Sequence, residues 1–114
     1  MSFWRGEVVH FALSHETRLH MEEQRAWIER DPRNGRPYYN LAQLYRMEGR
    51  PEEALGLLLE AVRLEDGLAE AHVSLAELYA VQEDYRAAWR HARAAEQGGD
   101  SSAVDLLKRY GVAE

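Results

Sequence analysis

Apolar residues recur three and four positions apart along most of the chain, the spacing that lines one face of an α-helix. The stripes predict helices over 36–48, 52–64, 69–82 and 85–97, together with one over 16–30 carried by Leu19, Met21, Trp27 and Ile28. Punctuation between the stripes agrees. Glu48-Gly49-Arg50-Pro51 supplies a glycine for a left-handed helix stop and a proline for the first turn of the next helix. Glu52 and Glu53 then fall where the helix dipole favours acids, and Asp84 is placed to cap a helix beginning at Tyr85. Asp31-Pro32-Arg33-Asn34 breaks the chain before the first pair, and Gly98-Gly99-Asp100-Ser101 is a stop followed by a cap after the second. Beyond it Ala103, Leu106, Leu107 and Tyr110 form a stripe for one short helix over 101–111, closed by Gly111. The expectation is an all-α chain forming a single domain over 1–114, built from helical hairpins.

The two hairpins repeat each other. Leu41-Ala42-Gln43-Leu44-Tyr45 returns as Leu75-Ala76-Glu77-Leu78-Tyr79 at an offset of 34, which also carries Ala54 onto Ala88 and Ala61 onto Ala95. Period and residues resemble the tetratricopeptide repeat, a helix-turn-helix unit with aromatic, large and small residues at fixed places. The first copy, 35–68, presents Tyr38, Leu41, Ala42, Tyr45, Ala54, Leu58 and Asp66. The second, 69–102, presents His72, Leu75, Ala76, Tyr79, Ala88, Ala92 and Asp100, so a histidine replaces the first aromatic and aspartate stands in the proline slot of both. Small residues suit positions where two helices touch closely. The same step backwards reaches Trp4, Phe11 and Pro32, but Val8 and His20 occupy the small slots and position 24 is Gln. Residues 1–34 are thus either a degenerate repeat or a helical segment.

The resemblance implies a right-handed superhelix of antiparallel hairpins, with 101–111 as a C-terminal capping helix. It also implies a function: holding a peptide or partner protein in the concave groove lined by the first helix of each hairpin. Carried over by repeat position, the groove residues are Arg36, Tyr39, Asn40, Gln43, Arg46 and Met47 from the first copy. Glu70, Val73, Ser74, Glu77, Ala80 and Val81 follow from the second. A basic, amide-bearing patch would lie beside an acidic one, suiting a peptide of both charge signs or an amphipathic helix. Family members that grip acidic chaperone tails need lysine and arginine where Glu70 and Ser74 stand, so that ligand is not expected.

Composition narrows the field. With 14 Lys plus Arg against 20 Asp plus Glu, the net charge of −6 disfavours nucleic acid as a partner. The absence of cysteine removes disulfides, thiolate metal sites and a cysteine nucleophile. An acidic Glu7 interrupts any leader-like apolar run and no stretch approaches the ~18 apolar residues of a membrane span, so a cytoplasmic protein without membrane contact is expected.

No chemistry emerges. His10, His15 and His20 are spaced five apart and do not share a helix face, His72 is expected to be structural, and His91 to lie on a solvated face. The carboxylate pairs Glu22-Glu23, Glu52-Glu53 and Glu65-Asp66 point about 100° apart on a helix and read as solvated surface. Trp27 and Trp89 fall on packing stripes. No metal, cofactor or catalytic residue is expected, and the chain is read as non-catalytic. The competing role is self-assembly: Phe3, Trp4, Val8, Val9, Phe11 and Leu13, with Leu57 and Leu59, offer apolar surface for a homodimer.

Overall fold

A computed structural model describes the backbone from Ser2 to Glu114 and the side chains from His15 onwards. The chain forms α1 (Ser2–Arg30), α2 (Gly35–Met47), α3 (Pro51–Leu64), α4 (Ala69–Val81), α5 (Tyr85–Gln97) and α6 (Ser102–Arg109), with no strand among the described residues. Each helix packs on the next in chain order, and α6 also reaches α4.

Helix ends follow from local chemistry. Asn34 accepts a hydrogen bond from the Arg36 amide at 2.9 Å to begin α2, and Asp84 accepts from the Ala87 amide at 3.2 Å to begin α5. Gly49 turns α2 into α3 with φ at 73°, returning its amide to Arg46 O at 3.0 Å. The equivalent turn between α4 and α5 places Glu83 at φ 62°, a conformation that costs a side chain about 1–2 kcal/mol. At the start of α6 Asp100 accepts from the Ser102 amide at 3.0 Å. Ser101 turns its hydroxyl to Asp105.

The N-terminal region is one uninterrupted helix, not a hairpin. No glycine or proline falls between Gly6 and Pro32, so nothing there forces a turn. The apolar side chains of Phe3, Trp4, Val8, Val9, Phe11 and Leu13 lie outside the described residues, as does the homodimer contact expected of them. Of the two other leucines, Leu57 is half-buried on the core and Leu59 is exposed.

Two clusters make the core. The first joins Ala42, Ala54, Leu58 and Ala61 to Leu68, Ala71, Leu75 and Leu78; the second joins Ala76, Ala88, Trp89 and Ala92 to Ala103, Val104 and Leu107. Complete burial of Leu58 and Leu75 contributes about 2 kcal/mol each. Ala42, Ala54, Ala76 and Ala88 are all essentially inaccessible, which is why small residues fill these slots: a longer side chain would push the paired helices apart. Because α4 touches both clusters, it is buried on most sides and carries little polar surface. Trp27 is only half-buried, whereas Trp89 is in the core.

Candidate partner-binding groove

The residues expected to line a groove stand on α2 and α4, and they pair with one another across the two helices. Arg36 donates from both guanidinium nitrogens to Glu70, at 2.6 and 3.1 Å. Gln43 donates to the Ser74 hydroxyl at 3.0 Å, and Arg46 lies 3.7 Å from Glu77. The expected basic and acidic patches therefore interlock into a ladder of polar contacts between consecutive hairpins. Arg36 also lies over the Tyr39 ring at 5.5 Å, and Asn40 turns back to donate to Gln24 of α1 at 3.1 Å.

The hydrogen bond from Arg36 holds the Glu70 carboxyl below its usual range, so the pair is charged at neutral pH. Ladders of this kind fix the register of two helices more than they add stability, since exposed ion pairs contribute about 0–1 kcal/mol. Of the expected groove residues, Ser74 is the one the fold withdraws from solvent, at 4% exposure. Val73 and Ala80 are half-buried, while Met47 and Val81 stand out at 74% and 82% exposure.

Beside Val81 the surface opens into a cavity of about 380 Å³. The Arg46–Glu77 pair forms its polar edge, and Leu78, Val81, Leu106 and Tyr110 supply most of an apolar lining. Tyr110, placed by the sequence pattern on the packing stripe of α6, is 74% exposed and belongs to this rim. Sequence reasoning missed three further residues. Gln24 and Arg25 of α1 reach α2, where Arg25 donates to the Tyr45 hydroxyl at 2.6 Å, and Val112 of the C-terminal stretch closes the cavity. No spacing signal marks Gln24 or Arg25, because each contact joins different helices.

His91 corrects the sequence reading most clearly: it is buried at 7% exposure, not solvated. Its Nδ1 lies 3.0 Å from Nδ1 of the equally buried His72, and its ring stacks on Tyr79 at 5.6 Å between centroids. Tautomers follow from the partners. His72 Nε2 lies 2.8 Å from the Asp66 carbonyl, which only accepts, so that nitrogen carries the proton and Nδ1 of a neutral His72 is a lone pair. His91 must then donate from Nδ1, which leaves its Nε2 as a buried lone pair with no partner. Burial, the neighbouring His72 and the charge of Arg90 together push the His91 pKa down to about 4.

No carboxylate among the described residues hydrogen-bonds to either imidazole. Among the described residues no group of three or more His, Asp or Glu is placed to hold a metal ion, and no helix is long and apolar enough to cross a membrane. His20 lies on exposed α1 surface between Glu16 and Glu23, at 3.8 and 3.5 Å.

Comparison with protein families matches residues 25–56 to the tetratricopeptide repeat. The matched stretch runs from the last turns of α1 through all of α2 into the first turns of α3. No curated protein sequence matches the chain.

Proposed function

We propose that the chain, whose residues 25–56 match the tetratricopeptide repeat, holds a segment of a partner protein in the groove along α2 and α4 without catalysing a reaction. Repeats of this family are generally protein–protein interaction modules and generally non-catalytic. The reading takes the hairpins to wind into a right-handed superhelix, with α6 capping the last of them, so that α2 and α4 form the inner wall.

One observation carries the proposal: an apolar cavity adjoins the bonded polar ladder, with Val81 exposed on its lining and Met47 exposed at the end of α2. Because Arg36, Arg46, Glu70 and Glu77 already pair with each other, the groove offers a neutralised surface and one apolar pit. Such a surface suits an amphipathic segment. A large apolar side chain of the partner fills the pit, and its polar groups exchange with the Arg46–Glu77 edge, whose long contact is the more easily opened of the two ion pairs. Half-buried Tyr39, with Arg36 over its ring, stands towards the other end of α2.

Affinity capture with the wild-type chain, identified by mass spectrometry, supplies the partner, and groove variants then test the site. Tyr39→Ala combined with Arg46→Ala, and separately Val81→Asp, are expected to weaken binding by about tenfold or more while leaving the fold intact. Unchanged affinity in both variants rejects the groove.

A further inference from the structure

The outer face of α5 has a different character from the rest of this acidic chain. Arg86, Arg90 and Arg93 succeed one another at helical spacing on one face, and with Tyr85 and Trp89 they line a cavity of about 370 Å³ closed on its far side by Ala113 and Glu114. Arg93 is engaged: it donates to both oxygens of Glu114, at 2.9 and 2.5 Å, and to Glu96 at 3.0 Å. Its guanidinium also lies over the Trp89 ring at 5.2 Å. Among the described residues Arg86 and Arg90 have no carboxylate within ion-pair reach, and both are exposed. Arg36, Arg46, Arg50, Arg63 and Arg93 are each paired with a carboxylate, whereas Arg86 and Arg90 stand side by side along one cavity wall without one.

The C-terminal stretch shows how an acidic chain is taken here. Trp89 Nε1 donates to the Val112 carbonyl at 3.2 Å, which fixes an irregular, non-helical backbone across α5, and the next acidic side chain falls into the fork of Arg93. Backbone is held by an aromatic N–H and the carboxylate by a guanidinium. Arg86 and Arg90 extend the same row by two further forks, with Tyr85 exposed beside them.

We propose that the outer face of α5 is a second binding site, for an extended acidic peptide of a partner protein, whose carboxylates occupy Arg86 and Arg90 alongside the chain's own Glu114 on Arg93. Planar guanidiniums pair with carboxylates through two parallel hydrogen bonds, and such charge-assisted contacts are about twice as strong as neutral ones. The site has all its arginines on α5, not on α2 or α4, and shares Tyr85 alone with the cavity beside Val81. It also contains a competitor: Glu114 holds the third fork, so an incoming peptide gains the whole row only when that residue gives way.

The test uses the full chain and a fluorescein-labelled hexaglutamate peptide, read by fluorescence anisotropy at low and at physiological salt. Binding is expected despite the like net charges, and to weaken with salt. Arg86→Gln with Arg90→Gln is expected to weaken it about tenfold or more, and Glu114→Gln to tighten it by roughly threefold, by freeing Arg93. The groove variant Tyr39→Ala with Arg46→Ala is expected to bind the peptide normally, so failure of one site does not mimic failure of the other. No binding at low salt, or equal affinity in the arginine variant, overturns the proposal. Saturable binding of inorganic phosphate without binding of hexaglutamate overturns it too, as does self-association at low salt that the arginine variant abolishes, which would make a second copy the occupant.

Discussion

Acidification should loosen the second hairpin through His91, by an amount the structure sets. In the folded chain the imidazole pair leaves no buried N–H unpaired only when both rings are neutral. A proton added to His91 creates an Nε2–H in a place with no acceptor, and a proton added to His72 forces His91 into the tautomer with the same unpaired Nε2–H. The folded pKa of about 4 therefore lies below the ordinary 6.5 that an unfolded chain shows. The unfolded state binds the proton first, so this stability is complete above about pH 6.5 and is lost as pH falls towards 4. Integrated between about pH 8 and about pH 5, the loss is ~2 kcal/mol, and over the full shift about 3 kcal/mol.

The first repeat provides the control. Stepping back 34 residues replaces His72 and His91 by Tyr38 and Leu57, which pack on the core of their own hairpin. His72→Tyr with His91→Leu should fold and lose this pH dependence, as should His91→Leu alone. Urea unfolding at the two pH values measures it, and subtracting the variant removes the carboxylate contributions. Glu70, held low by Arg36, loses its contribution at lower pH. If wild type and His91→Leu lose the same stability over this window, the buried neutral pair is wrong.

Three substitutions test the packing and the turns, each read as a shift in the urea midpoint. Gly35→Ala should destabilise by about 1–3 kcal/mol, because a Cβ there would lie 2.7 Å from the Ala61 carbonyl oxygen, where the start of α2 packs on the last turns of α3. Glu83→Gly should stabilise by about 0.5–1 kcal/mol, since glycine adopts the positive φ without the side-chain penalty and Gly49 already fills the matching turn. Ala42→Leu should cost about 1–3 kcal/mol by overpacking a fully buried contact between α2 and α3.

The helices were legible because the signals that form them are local. Gly49 and Pro51, Asp84, and the apolar stripes lie within single turns or adjacent helices, and the 34-residue offset alone aligns the two hairpins. What escaped depends on contacts between elements. Arg36 and Glu70 occupy the same repeat position with opposite charge, which announces a cross-hairpin pair, whereas the sequence reading gives them to neighbouring basic and acidic patches facing a ligand. His91 was assigned to solvent from its polarity alone, although the offset places it where Leu57 packs. Tyr110 fits the stripe of α6 but stands past its last residue, Arg109, where the helical register no longer holds. In α1 the missing glycine and proline outweighed the weak match at Trp4, Phe11 and Pro32.

Hydrogen–deuterium exchange of the chain with and without its captured partner tests the central claim most directly, because it maps the contact without mutation. The account predicts that protection gained on binding concentrates on the last turns of α2 and α4 and on the cavity rim at α6, near Met47, Val81 and Leu106. Protection confined to α1 or to α3, with α2 and α4 exchanging as in the free chain, would contradict it.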